Sequence, residues 1–201
     1  MIKKIFVDGD NPQERAYFGW QTHEMALWGI KEGYKNAADE LVEIAINKGI
    51  QGDIKTLDTY IFPILFMYRH SIEISLKLIY YRCYHKPAKG SHDLLALWTS
   101  IKEVISEITS DDFVEKVKQY KEKFIKYSLE GINFKQIEEY IKELNKKDQK
   151  ADVWRYLIDM KYNLYFEEGK FVDYNNLKDA LNELYGVMDF FYFIVGEYLS
   201  S

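Results

Sequence analysis

The chain has 201 residues, 47% of them hydrophobic and 16% aromatic, enough to build one sizeable core. A net charge of −5 excludes a general DNA-coating role, because nothing in the overall balance attracts a polyanion. The single cysteine, Cys83, excludes an internal disulfide and any multi-cysteine metal site.

Only three prolines occur, and apolar residues recur mostly at helical spacing, so an all-α protein is expected, one domain spanning 1–201. The opening sequence MIKKIFVDGDNPQE lacks the apolar run of a signal peptide, and the cytoplasm is the expected compartment. Residues 1–15 read as a short extended lead ending in the turn DGDNP. Asp8, Asp10 and Asn11 lack the further ligands of a calcium loop.

A first helix is expected over about 22–47, with Met25, Trp28, Tyr34, Ala38, Leu41 and Ala45 on its apolar face. Gly49 is its expected stop. Gly29 and Gly33, one turn apart, weaken that helix and mark either a close approach or a kink. The polar stretch GIQGDIKTLD then leads into the central element, 60–84, capped by Thr56 or Asp58 and with Pro63 in its first turns.

That central stretch is apolar on every side of a helical wheel, the mark of a helix buried inside a domain. Even so, it contains Arg69, His70, Glu73 and Lys77. At ~100° per residue, Arg69, Glu73 and Lys77 share a sector of roughly 80° with Phe62, Phe66 and Tyr80. Four ionisable side chains argue against a membrane span, and buried charges require partners. Arg69–Glu73 and Glu73–Lys77 stand four apart and can pair within the helix. Arg155 and Asp159 are expected to join them.

After the breaker KPAKG, Ser91 or Asp93 caps a third helix with the stripe Leu94, Leu97, Trp98, Ile101, Val104, Ile105 and Ile108. The short connection predicts antiparallel packing on the central helix, with His92 near that helix's C-terminal end. A fourth helix is expected over about 111–129 and a short one from Asn133 to Leu144. NKKDQKAD reads as a mobile linker, and 145–172 as a loop and insertion with a small irregular or hairpin part near 153–172. A last helix, capped at Asn175 or Asn176 and running to about Leu199, ends in the run Phe190 to Val195. That run is wider than one core-facing stripe requires, and a symmetric second copy is the expected cover.

No glycine-rich phosphate loop, metalloprotease helix, zinc spacing or nucleophile elbow is present, and no cofactor or metal is implied. These polar residues read either as a buried network that fixes helix packing or as a polar pocket in which Arg69 holds an anionic group and His70 or His92 acts as acid or base beside Glu73. Lys77, Asp93, Arg155 and Asp159 complete the candidate polar network.

The segments FPILFMYRHSIEISLKLIYY and GSHDLLALW resemble the YRH-x-x-E-x-x-LK and HDL-x-x-LW helices of bacterial HEPN-like helical-bundle proteins. GYKNAADELVE and VWRYLID also resemble parts of those proteins, and the likeness covers about half the chain. The resemblance implies an all-α bundle of about five to six helices, a homodimer, and a link to RNA cleavage, toxin–antitoxin pairs and phage defence (abortive infection). The ribonuclease branch of the family carries Arg, four to six residues, then His. None of Arg15, Arg69, Arg82 and Arg155 has a histidine at that distance. The expected function is therefore non-catalytic, the binding of a protein or RNA partner. The alternative is a metal-independent ribonuclease with a displaced site at Arg69, His70, Glu73 and His92.

Overall fold

The computed structural model describes residues 5–90, 92–109 and 134–200. Among them it is all-helical, with no strand. The helices are α1 (His23–Ile50), α2 (Ile54–Tyr84), α3 (Leu94–Ile108), α4 (Phe134–Lys147), the single turn α5 (Val153–Tyr156) and α6 (Tyr174–Ser200). The helix expected over 111–129, and Ser91 as a cap, lie outside the described residues.

A tight reversal joins α1 to α2. Gly52 adopts φ +85°, where a side chain would strain the backbone, and Asp53 then caps α2 by accepting from Thr56 N at 3.0 Å. The helix therefore starts about six residues earlier than the apolar pattern alone suggests. Thr56 and Asp58 lie within it, and Pro63 sits in its interior. Placing the cap so early lets α2 reach 31 residues.

Helix α2 is the axis of the molecule. Residues 71–76 are buried on all sides of it, which is the burial its unbroken apolar character predicts. Helix α1 runs back along it: Gly49 lies against Leu57, Tyr34 against His70 and Glu24 against Arg82. Helix α6 runs the same way as α2, with Tyr174 Oη donating to Leu57 O and Arg82 Nη1 donating to Tyr192 O. These three helices, with α3 and α4, close around one core that includes Ile64, Leu76, Trp98, Ile101, Ile141 and Phe191.

Helix α3 corrects the antiparallel expectation. The 85–93 loop folds back along α2, so His92 lies beside Glu73 while Ser100 O accepts from Tyr84 Oη. The chain thus advances in the same sense as α2, and His92 meets the middle of α2 rather than its end. Helix α4 runs against α3, with Asn145 bonded to Leu94 and Glu138 paired with Lys102.

Two further expectations change. In the 153–172 region the hairpin reduces to one bridge, Ile158 to Leu164, behind the turn of α5. Asp159 closes that loop, accepting from Lys161 N and Asn163 N. The Phe190–Val195 run is covered inside the chain: Phe191 stacks on Trp98 and Phe134, and Tyr192 lies under Arg82 and beside Trp28. Gly196 makes room for that guanidinium, since a Cβ there would lie 2.5 Å from Arg82 Nη1. The aromatic run therefore supplies no argument for a second copy.

Candidate functional site

Helical spacing places Arg69, Glu73 and Lys77 one above the other on α2, and the geometry links them into a chain of ion pairs. Arg69 Nη1 donates to Glu73 Oε2 at 2.8 Å, and Lys77 Nζ donates to Glu73 Oε1 at 2.6 Å. Arg69 and Glu73 are each 1% exposed, so neither charge has bulk water to solvate it. Such a pair persists only when its remaining hydrogen-bonding groups are satisfied as well.

The satisfaction comes from two connecting segments. Arg69 Nη2 donates to His92 O at 2.6 Å, and Arg69 Nε donates to Asp148 O at 2.9 Å. The Asp148 carboxylate lies 3.4 Å from the same Nε and is itself buried. Its Oδ1 accepts from Asp152 N and Val153 N, starting the turn of α5. Asn145 Oδ1 accepts from Leu94 N, and Gln149 Nε2 donates to Asp93 Oδ2 at 2.6 Å. Asp93 also caps α3 through Ala96 N. The 145–152 segment, expected to be a mobile linker, is thus fastened to α2 and α3.

His92 joins from the rim. Its Nδ1 lies 3.0 Å from Glu73 Oε1, and since an ionised carboxylate only accepts, Nδ1–H is the donor. The side chain is 56% exposed. Burial works against the Glu73 carboxylate, but hydrogen bonds from Lys77 and Arg69 outweigh it and hold its pKa below the usual range. Glu73 is therefore an ionised acceptor shared by three donors, a poor proton donor or acceptor in its own right.

The other candidate residues lie apart. His70 faces α1, where its ring meets the edge of Tyr34 at 4.8 Å and stacks on Phe66 at 5.5 Å. Burial pushes its pKa below the ordinary value. Arg155 does not reach Glu73. Its side chain donates to Ala151 O and lies over Tyr156. Asp159 is occupied by its own turn, and hydrogen bonds from Asn163 hold its pKa down. Arg69, Glu73, Lys77 and His92 therefore converge, while His70, Arg155 and Asp159 do not. Cys83 is half-buried, and desolvation pushes its thiol up to about 11, away from thiolate chemistry.

Asp148 is the member that sequence reasoning missed. It lies in a polar run that reads as linker, 79 residues from Arg69. The available signal was the surplus of positive charge on α2, two cations to one carboxylate, which calls for one more acid. No helix among the described residues is long and apolar enough to cross a membrane. No protein-family model, curated protein or solved structure matches the chain.

Proposed function

We propose that the protein is a non-catalytic, HEPN-like interaction protein that works as a homodimer, binding a protein or RNA partner in phage defence or a toxin–antitoxin pair. The observation that carries the non-catalytic part is the state of Arg69. Each of its three nitrogens donates to a partner inside the protein, and the side chain is buried. A guanidinium so committed cannot reach out to a phosphate without leaving Glu73 and Asp148 as stranded acids. The homodimer and the link to defence rest on the YRH-x-x-E and HDL-x-x-LW resemblance alone.

A second reading keeps one specific observation. His92 is half exposed and hydrogen-bonded to a buried carboxylate, an arrangement that orients an imidazole for proton transfer. Purified protein incubated with single-stranded RNA separates the two. Intact RNA supports the binding role. Cleavage by the native chain that disappears in a His92→Ala variant of unchanged helicity would replace it with a ribonuclease. Light scattering tests the homodimer, and a monomer of 24.0 kDa at micromolar concentration removes that part of the proposal.

A further inference from the structure

The two halves of α1 are held by different forces. From Ala38 onward the helix is apolar-packed, with Ala38, Val42 and Ala45 fully buried and Leu41 and Ile46 packed against the core. Before Ala38 no residue of α1 belongs to that core, and the one buried residue of 23–37 is a lysine, Lys31, at 0% exposure.

Lys31 is the centre of a polar clasp on α6. Its ammonium donates to Asp189 Oδ1 at 2.6 Å, Tyr185 Oη at 2.8 Å and its neighbour Glu32 at 3.0 Å, and lies 3.6 Å from the centre of the Trp28 ring. Tyr185 Oη in turn donates to Glu32 at 2.6 Å. Other charged groups face the clasp from each side: Lys35 and Asp39 on α1, the latter accepting from Tyr68 of α2, and Arg82 of α2 between Glu24 and Tyr192. On the outer side of the same turns sit Gly29 and Gly33, where an added Cβ would meet nothing within 4 Å. No close approach explains them, and each lowers the helix's own stability.

We infer that the first four turns of α1 form a strap, fastened to α6 by the Lys31 clasp and to α2 by Glu24 on Arg82 and Tyr34 on Phe66 and His70, that opens as a unit while the part of α1 beyond Ala38 stays packed. Apolar burial opposes opening in proportion to area, and here it comes from partly exposed side chains, chiefly Trp28 on Tyr192 and Tyr34 on Phe66 and His70, rather than from residues of the core. It is also held by directional polar bonds, three of them made by the buried Lys31 ammonium, with Glu24 bonded separately to Arg82 and Tyr192. Opening bares Tyr185, Asp189 and Tyr192 of α6 and Phe66 and His70 of α2, an aromatic face that the closed strap covers. The inference is independent of the binding role proposed above.

Amide hydrogen exchange on the whole chain tests it, read separately for residues 26–36 and 39–48. The strap should exchange at least tenfold faster than the packed half. Lys31→Met, which keeps the stem and removes the ammonium, should raise strap exchange a further tenfold or more and leave 39–48 unchanged. Gly29→Ala combined with Gly33→Ala should slow strap exchange several-fold, and this variant carries the test if Lys31→Met does not fold. Uniform protection along α1, or glycine replacements that leave the strap's exchange unaltered, would overturn the inference.

Discussion

Arg69, Glu73 and Asp148 form the buried centre to which the 85–93 loop and the 145–152 segment are both tied. Replacing Glu73 with Ala breaks the buried pair, leaving Arg69 Nη1 without its acceptor, and should cost about 3–5 kcal/mol in urea denaturation. The parallel change at Lys77, whose side chain keeps 23% of its surface in water, should cost no more than about 1 kcal/mol. A Glu73→Ala effect within about ±0.5 kcal/mol would mean that the pair faces water. His70 predicts a pH dependence. Burial lowers its pKa, so below the ordinary value of 6.5 the unfolded chain takes up a proton that the folded one still refuses. Stability therefore falls as the pH drops through that window, and His70→Phe should flatten this part of the profile. An unchanged slope in the variant would remove His70 as its source. At this scale the sequence was half legible. The spacing of Arg69, Glu73 and Lys77 exposes their pairing, because a helix fixes what stands four residues on. Asp148 was not legible, because nothing local distinguishes a linker acid that folds inward. Lys31 was missed for a related reason: flanked by Glu32 and Lys35 it reads as a solvated face, although Asp189, an acid inside the apolar run of α6, was a hint of its partner.

At the scale of elements, the depth of burial should decide the cost of substitutions. Leu76→Ala, in the fully buried middle of α2, should cost about 2–5 kcal/mol, whereas Leu164→Ala in the exposed 157–165 loop should stay within about ±0.5 kcal/mol. Equal costs at the two positions would contradict the placement of α2 at the axis. The helices themselves were readable from periodicity, since apolar faces recur wherever packing repeats every turn. Their boundaries and directions were less so. The start of α2 depends on Asp53 reaching Thr56, a cap placed ahead of the apolar pattern it serves. The direction of α3 depends on a loop that doubles back because Arg69 and Glu73 bind His92, a long-range contact that loop length does not encode. In the 153–172 region, aromatic and β-branched residues suggested extended chain, and the Asp148 carboxylate instead starts a helical turn.

At the scale of the molecule, the buried charged residues among the described ones lie where helices and loops are joined. Arg69, Glu73 and Asp148 tie two loops to α2, and Lys31 ties α1 to α6, which is the basis for the non-catalytic role proposed above. Incubation of the purified protein at micromolar concentration with single-stranded RNA, followed for hours and run beside His92→Ala, tests this most directly. Intact RNA is expected with both proteins. RNA turnover by the native chain that is lost in His92→Ala, with helicity unchanged, would contradict it.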